Sequence, residues 1–130
     1  MTSKTELYNI ALKTIHPLKL KQFGESGHVS CALESINGNI FTGVCIDLPC
    51  ALGFCAEQPA IAEMLKIGET VIKQIITVDL DGNVLPPCGR CREFIMQLDN
   101  KNINTMIIID RNSQVKLCEL LPERWDKKYD

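Results

Sequence analysis

The sequence lacks any excess of positive charge. Its 130 residues include 14 Lys and Arg against 16 Asp and Glu, which gives a formal net charge of -2 at pH 7. A protein that binds nucleic-acid backbones usually presents a basic face to them. The charge balance therefore argues against a nucleic-acid partner, whereas a small neutral or anionic substrate is compatible with it.

The sequence also lacks a long apolar run and an export signal. Residues 1–9 are polar, with no apolar stretch ahead of a cleavage site. No apolar run approaches the ~18 to 20 residues that a membrane-spanning helix needs. We therefore expect a protein without a membrane partner and with a cytoplasmic location.

Internal repeats, low-complexity tracts and linkers are missing as well. A length of 130 residues fits one domain, so we expect residues 1–130 to fold as a single unit. Apolar residues make up 45% of the chain and charged residues 23%, which are ordinary values for a globular protein. This composition argues against disorder.

The hydrophobic pattern alternates between helical and strand periodicity. The predicted helices span 4–19, 55–66 and 89–98, and the predicted strands span 28–35, 39–46, 71–80, 105–110 and 114–118. Pro17 marks the end of the first helix, and Asn37-Gly38 predicts a two-residue hairpin turn. Strands that alternate with helices predict an α/β sheet covered on both faces.

Cysteine is abundant where other features are scarce. The chain has seven cysteines: Cys31, Cys45, Cys50, Cys55, Cys88, Cys91 and Cys118. Their number is odd and no export signal accompanies them, so metal ligands, packed thiols or catalytic thiols are favoured over disulfides. We interpret Cys31 and Cys118 as packed thiols in apolar strands, and the roles of Cys45 and Cys50 stay open.

Two short segments predict a metal site. Cys55-Ala56-Glu57 and the segment PCGRC at 87–91 each lie at the predicted start of a helix. Cys88 and Cys91 are one helical turn apart and chelate from one side, while Cys55 adds a third sulfur from another helix. Three protein ligands leave the fourth tetrahedral position of Zn²⁺ open to water, as in a catalytic site. The alternatives are a redox dithiol or a structural zinc site with Cys50 or Cys118 as fourth ligand.

Glu57 is the predicted proton carrier of this site. It lies two residues past Cys55, from where a carboxylate can approach a zinc-activated water without binding the metal. We expect it to take a proton from the water and to return protons to a ring nitrogen and to departing ammonia. The alternative is an acid favoured at the start of a helix by the helix dipole.

The chain resembles the cytidine deaminase superfamily. The downstream P-C-x-x-C motif after an upstream Cys and Glu is typical of zinc nucleobase deaminases. The resemblance extends from about His28 to the C-terminus and is closest to the short all-cysteine branch of cytidine deaminases and blasticidin S deaminases. It rests on IFTGV at 40–44, Cys55-Ala56-Glu57 with Ala60-Ile61, PCGRCR at 87–92 and LLP at 120–122.

The resemblance implies a fold and an activity. It implies a three-layer αβα sandwich with a five-stranded mixed sheet, one zinc ion per subunit and a homo-oligomer, with a tetramer favoured over a dimer. The implied reaction is deamination of cytidine or deoxycytidine to the uracil nucleoside. Two alternatives stay open: a deaminase of a modified or antibiotic cytosine nucleoside such as blasticidin S, and a non-catalytic zinc-stabilised binding or assembly protein.

The resemblance also implies a substrate site, in which this sequence departs from the family. Cytidine deaminases hold the ribose with an Asn-x-Glu pair, and the matching positions here are Cys45 and Asp47. Ala56 is implied to contact the substrate. In blasticidin-type members, aromatic residues near the C-terminus close over the substrate, which makes Trp125 a candidate. His28 is interpreted as an ordinary surface or edge residue.

A second departure concerns the charge around the metal. Three thiolates and Zn²⁺ sum to one negative charge, and many three-cysteine members offset it with an Arg just after the catalytic Glu. This chain has Gln58 at that position. We expect Arg90 or Arg92, which flank Cys91, to supply the compensating positive charge.

Overall fold

Helices and strands alternate along the chain in the computed structural model, which describes residues 2–129. The α-helices are α1 (Lys4–Thr14), α2 (Glu57–Lys66), α3 (Gly89–Leu98) and α4 (Leu117–Leu120). The strands are β1 (Leu18–Lys19), β2 (Glu25–Ser35), β3 (Ile40–Asp47), β4 (Ile72–Asp79), β5 (Met106–Asp110) and β6 (Ser113–Lys116). Short 3₁₀ helices cover Asn100–Asn104 and Trp125–Tyr129. None of the described helices is long and apolar enough to cross a membrane.

The sheet is mixed, and β4 lies at the centre of the strand order β3-β2-β4-β5-β6. β2 pairs antiparallel with β3 on one side and with β4 on the other. β1 pairs antiparallel with the first two residues of β2, on the same side of β2 as β4. β4 runs parallel to β5, and β5 pairs antiparallel with β6. The parallel step follows from the crossover through α3, since parallel strands need a connection long enough for a helix.

Two apolar clusters place helices on both faces of the sheet. On one face, Leu7 and Ala11 of α1 pack with Ala32 and Ile76. On the other face, the buried side chains of α2 and α3 pack with the alternate residues of the same strands. The predicted three-layer αβα arrangement with a mixed sheet is therefore confirmed, and β1 is a short sixth strand beside the five expected.

The first helix ends earlier than the sequence pattern predicts. The Ser3 hydroxyl accepts a hydrogen bond from the Glu6 N–H and caps the start of α1, and Thr14 is its last residue. Ile15 is extended, with φ -53° and ψ 126°. The Ile15 N–H donates to the Leu12 carbonyl and closes the last turn of α1. Pro17 disfavours the helical region for His16, the residue before it, so the chain leaves the helix and then joins the sheet as β1.

The β2–β3 hairpin differs from the predicted two-residue turn. The Gly38 N–H donates to the Ser35 carbonyl at 2.9 Å, and the Ser35 N–H donates to the Asn39 carbonyl at 2.8 Å. The loop therefore has three residues. Gly38 has φ 88° whereas Asn37 has none of the positive φ that the two-residue turn requires.

The start of α2 rests directly on β3 at Gly43. A Cβ atom at Gly43 would lie 2.6 Å from both the Ala56 carbonyl oxygen and the Ala60 backbone nitrogen. Only a glycine lets the helix approach the strand so closely. Because Glu57 is the first residue of α2, this contact fixes the height of Glu57 above the sheet. The sequence pattern had predicted that the helix begins at Cys55.

The C-terminal strand is shorter than predicted. β6 ends at Lys116, and α4 follows at once, so Cys118 lies in a helix and is only partly buried. The Glu119 carboxylate accepts a hydrogen bond from the Lys116 N–H at 2.9 Å and stabilises the start of α4. This cap favours the start of a helix at Leu117, where the strand predicted over 114–118 ends.

Candidate active site

Three cysteine sulfurs meet where two helices begin. Cys55 lies two residues before α2, Cys88 is the N-cap of α3, and Cys91 lies in the first turn of α3. The Sγ atom of Cys88 is 3.5 Å from that of Cys55 and 3.5 Å from that of Cys91. All three sulfurs lie within 4.8 Å of one another. The structure thus brings together the three residues that the sequence predicts as ligands.

The donor set fits a tetrahedral zinc ion with one open position. Zinc bound to sulfur at about 2.3 Å separates neighbouring sulfurs by about 3.8 Å, close to the spacing seen here. Among residues 2–129 this is the one group of three or more potential ligands at such spacing, and neither Cys50 nor Cys118 belongs to it. A structural site with a fourth cysteine ligand finds no support in this geometry.

The environment disfavours three free thiolates. Burial raises the pKa of the Cys55 thiol and of the Cys91 thiol, and the nearby Glu57 carboxylate adds to both effects. For Cys88, burial also acts to raise the pKa, but hydrogen bonds from the Cys91 backbone N–H and from the two neighbouring thiols outweigh it and lower the pKa. A divalent cation at the centre would stabilise all three negative charges.

The Glu57 carboxyl lies beside the sulfurs in a buried position. Glu57 is 3% exposed and is the first residue of α2. Burial raises the pKa of this carboxyl, while hydrogen bonds from its own backbone N–H, from Thr77 and from Cys91 act in the opposite direction. The net result is a carboxyl that keeps its proton to a higher pH than a free glutamate.

A cavity of about 980 Å³ opens onto this site. Its walls come from the start of β2, the end of β3, the loop between β3 and α2, and the segment 85–90 that leads into the first turn of α3. Cys55, Cys88 and Glu57 line it, while the sulfur of Cys91 lies behind the wall in a fully buried residue. A small molecule in the cavity can therefore reach both the sulfur cluster and the carboxyl.

The other predicted substrate residues divide into two groups. Cys45, Asp47 and Ala56 line the cavity, and the Cys45 thiol contacts an Asp47 carboxylate oxygen at 3.7 Å. Trp125 lies outside the walls of this cavity with 63% of its side chain exposed. Its backbone N–H donates to the Glu93 carboxylate at 3.0 Å. A contact between Trp125 and substrate stays a prediction.

The two predicted arginines occupy different positions. Arg90 lines the cavity between the ligand cysteines. Arg92 points elsewhere, because its guanidinium donates to the Pro87 carbonyl at 2.8 Å and to the Leu120 carbonyl at 3.1 Å. Arg92 thereby ties the segment before Cys88 to the C-terminal helix α4. Its geometry indicates a structural clamp, and the predicted charge compensation stays a prediction for both residues.

Three residues near the site were not assigned to it from the sequence. Thr77 of β4 hydrogen-bonds the Glu57 carboxyl, and the Gln58 amide lies 4.0 Å from the Cys91 sulfur. His28, which the sequence analysis interprets as an ordinary surface or edge residue, lines the cavity. Thr77 lies opposite Cys31 of β2, a pairing between strands distant in sequence, and no local motif signals it.

Comparisons with known proteins agree with this geometry. The model of the family described as the cytidine and deoxycytidylate deaminase zinc-binding region matches residues 1–107. The cytidine deaminase of Shewanella pealeana is 36% identical over 81 residues, which are 59% of this chain and 25% of that protein. The cytidine deaminase of Shewanella halifaxensis is 36% identical over 74 residues, 55% of this chain and 23% of that protein. The matched segment thus spans about a quarter of these relatives.

Solved structures share the fold over nearly the whole chain. The cytidine deaminase of Mycobacterium tuberculosis superposes with a TM-score of 0.77 at 23% identity and covers 93% of this chain and 95% of that chain. That of Bacillus anthracis gives a TM-score of 0.75 at 23% identity, with 97% and 91% covered. At this level of identity the likeness describes the fold and leaves the chemistry to the residues of the site.

Proposed function

We propose that this chain, which belongs to the cytidine and deoxycytidylate deaminase family, is a zinc-dependent aminohydrolase. The proposed reaction converts a cytosine nucleoside, cytidine or deoxycytidine, to its uracil counterpart with consumption of water and release of ammonia. One observation carries the proposal. Three sulfurs that fit zinc and a buried carboxyl lie together at one end of a cavity large enough for a nucleoside.

Cys55, Cys88 and Cys91 would hold the metal from the starts of two helices. Bound there, Zn²⁺ supplies a Lewis acid that lowers the pKa of a water in the open position. The helix starts contribute free backbone N–H groups and positive dipole ends, which stabilise the thiolates. The rigid sheet beneath keeps the ligand spacing fixed without any fourth protein ligand.

Glu57 moves the protons in the proposed reaction. Its carboxylate takes a proton from the attacking water and delivers it to the ring nitrogen, and it then takes the proton of the hydroxyl group added to the ring carbon and passes it to the departing ammonia. A carboxyl whose pKa burial raises is suited to both roles, because at neutral pH it takes up a proton more readily than an exposed glutamate and can hold that proton until it is passed on. Thr77 lies beside the carboxyl and favours its ionised form.

Cys45 and Asp47 are proposed to face the non-reacting part of the substrate. Both line the cavity on β3, at the positions where the family places its ribose-binding pair. Asp47 can accept a hydrogen bond from a hydroxyl group, whereas a thiol replaces an amide poorly. This difference favours, as a second candidate, a modified cytosine nucleoside such as blasticidin S. A non-catalytic zinc protein is the remaining alternative, and turnover of any substrate would exclude it.

A homo-oligomer is part of the proposal. Phe23 lines the cavity and yet is 60% exposed, so a neighbouring subunit that covers it would also enclose the substrate. We propose a tetramer rather than a dimer, in the cytoplasm, with no nucleic-acid or membrane partner. Sedimentation equilibrium of the zinc-loaded protein measures the oligomeric state, and a monomer at micromolar concentration would contradict it.

The test of the proposed function is ammonia release over a substrate panel. Zinc-loaded protein is incubated separately with cytidine, deoxycytidine, cytosine, blasticidin S and guanine, and ammonia and the deaminated product are both quantified. We expect turnover of at least one cytosine nucleoside. Absence of turnover with every aminated compound, by protein that carries its zinc, would refute the enzyme assignment.

A further inference from the structure

We propose that Arg92 is a positioning residue for the metal ligand Cys88, and that it couples this ligand to segment 117–129, which comprises α4 and the 3₁₀ helix after it. Cys88 as a ligand belongs to the proposed function, on which this inference rests, whereas the identity of the substrate does not enter it. The role assigned to Arg92 differs from the compensation of thiolate charge. It depends on hydrogen bonds from one guanidinium to two backbone carbonyls that lie far apart in sequence.

Cys88 is the ligand of the α3 pair that the helix itself supports least. It is the N-cap of α3, with an extended backbone (φ -66°, ψ 170°), and its side chain makes no capping hydrogen bond. Cys91, by contrast, lies inside the first turn. An N-cap residue has a non-helical conformation, so the helix does not fix the peptide that precedes it. The position of Cys88 therefore depends on contacts made by the peptide that joins Pro87 to Cys88.

Arg92 makes these contacts on both sides of Cys88. Its Nε atom donates to the Pro87 carbonyl oxygen at 2.8 Å, and its backbone N–H donates to the Cys88 carbonyl oxygen at 3.0 Å. Because a peptide unit is planar, a fixed Pro87 carbonyl also fixes the plane that contains the nitrogen and the Cα atom of Cys88. A guanidinium donor makes a stronger hydrogen bond than a neutral one. Arg92 thus orients the backbone that carries the Cys88 sulfur.

The same guanidinium holds α4. Its Nη1 atom donates to the Leu120 carbonyl oxygen at 3.1 Å, across 28 residues of sequence. Leu120 is the last residue of α4, where backbone carbonyls have no partner within the helix. The guanidinium is a rigid planar group, so it can serve the Pro87 and Leu120 carbonyls together at only one relative position. A shift of α4 at Leu120 would move the guanidinium or break one of the two bonds.

Glu93, the next residue of α3, makes a second contact with segment 117–129. Its Oε1 atom accepts a hydrogen bond from the Trp125 N–H at 3.0 Å. Its Oε2 atom is buried and has no hydrogen-bond partner among residues 2–129. A buried carboxylate oxygen without a partner costs free energy, which offsets part of what the Trp125 contact contributes. Docking beyond Leu120 is therefore only weakly favoured, so a change at Arg92 can shift it.

The start of α4 is anchored independently of Arg92. The Leu117 N–H donates to the Thr105 carbonyl at 2.9 Å, and the Leu117 side chain is fully buried. Movement is thereby confined to residues 120–129. Coupling between two sites is reciprocal, so if docking of this part favours the metal-binding position of Cys88, a metal held by Cys88 favours docking to the same extent. Removal of the metal should therefore loosen residues 120–129.

The first arm of the experiment uses the native chain, zinc-loaded or freed of metal with a chelator. We expect amide hydrogen exchange over residues 120–129 to be roughly fivefold or more faster without metal, and exchange in α1 to be unchanged. Trp125 is the only tryptophan of the sequence, so a fall in its fluorescence anisotropy reports the same loosening. No change over residues 120–129, or an equal change in α1, would overturn the inference.

The second arm separates the geometry of Arg92 from its charge. Arg92→Met removes both, whereas Arg92→Lys keeps the charge on a group without the planar fork. Competition with a chelator of known affinity should show that both variants bind zinc about tenfold or more weakly, as for other residues that orient a metal ligand. In both variants the metal should no longer affect the anisotropy of Trp125. Native zinc affinity in Arg92→Lys would overturn the inference, because charge alone would then suffice.

Arg111→Met is the matched control. Arg111 is an exposed arginine stacked on the Tyr8 ring at 4.7 Å, and Tyr8 packs on the face of the sheet opposite α3. This variant should keep the zinc affinity of the native protein, and a loss equal to that in Arg92→Met would refute a specific role for Arg92. Because the first arm uses the native chain, it decides the inference even if Arg92→Met does not fold.

The outcomes separate the inference from the proposed function, because neither arm needs a substrate. Coupling between the metal and residues 120–129, without turnover of any aminated compound, would support the inference and refute the deaminase. Turnover by a native protein whose Arg92 variants bind zinc normally would do the reverse. A native protein that binds neither Zn²⁺ nor Co²⁺ would refute both.

Discussion

The two ends of the cavity are built from different kinds of backbone. At the cysteine end, the starts of α2 and α3 carry the sulfurs and Glu57, and these positions are rigid because both helices pack on the sheet. At the far end, the wall comes from strand ends and from the loop after β3, where Cys50 and Ala51 adopt left-handed φ values of 62° and 54°. Helix starts that pack on the sheet suit side chains whose positions the reaction requires. The strand ends and the loop can change in sequence without disturbing the reaction.

This contrast separates chemistry from selectivity. The residues of the cysteine end form two groups that are each local in sequence. Cys88 and Cys91 share one helical turn, and Glu57 follows Cys55 by two positions. The far end depends instead on side chains that meet across strands, such as Glu25 and Asp47. We therefore expect substitutions at the cysteine end to abolish the reaction and those at the far end to alter the substrate preference.

The largest effect is expected from removing a metal ligand. Cys88→Ala should lose bound zinc together with detectable turnover, because two thiolates hold zinc far less well than three. Metal content by elemental analysis checks this directly. Cys118→Ala is the matched control, since its sulfur lies outside the cluster, and it should keep one zinc per chain. Full zinc occupancy in Cys88→Ala would place the metal elsewhere.

Glu57→Gln should keep the metal and lose the reaction. The amide preserves the shape of the side chain but cannot carry a proton, so we expect kcat to fall by about 10² to 10⁴. Zinc content and thermal stability should stay close to those of the native protein. A variant as active as the native protein would refute the proton-transfer role of Glu57.

Gly43→Ala should weaken the support beneath Glu57. The new Cβ would lie 2.6 Å from two backbone atoms of the α2 start, which must shift to make room. We expect a loss of about 1 to 3 kcal/mol in the free energy of unfolding, as for other overpacked positions, together with a lower kcat. Chemical denaturation measures the first quantity.

A matched glycine makes this prediction sharper. Gly89 lies at the start of α3, where an added Cβ would meet no atom within 4 Å. Because alanine is the better helix former, Gly89→Ala should leave the free energy of unfolding unchanged or slightly higher. Similar losses in both variants would mean that close packing on β3 does not position α2.

The smallest effect is expected at the far end. Asp47→Ala should raise KM for a nucleoside about threefold to tenfold, as expected for a lost hydrogen bond of about 1 kcal/mol, and leave KM for free cytosine unchanged. Steady-state kinetics with both substrates provide the measurement. Equal changes for the nucleoside and the base would remove Asp47 from the binding of the non-reacting part.

The same contrast explains what the sequence could predict. The helix over 89–98 and the spacing of Cys88 and Cys91 are local features, and both appear as expected. The predicted hairpin loop was one residue too short, because Asn37-Gly38 is compatible with loops of two or three residues, which differ in where strand pairing resumes. Thr77 and His28 join the site through cross-strand register, which a single sequence does not encode in any local motif.

X-ray absorption at the zinc K-edge tests the central claim most directly. A catalytic site held by Cys55, Cys88 and Cys91 predicts three sulfur neighbours at about 2.3 Å and one lighter neighbour, oxygen or nitrogen, at about 2.0 Å. That fourth neighbour should change when a substrate analogue is added. Four sulfur neighbours, unaffected by the analogue, would contradict the account, because a closed site has no position beside Glu57 at which water can be activated.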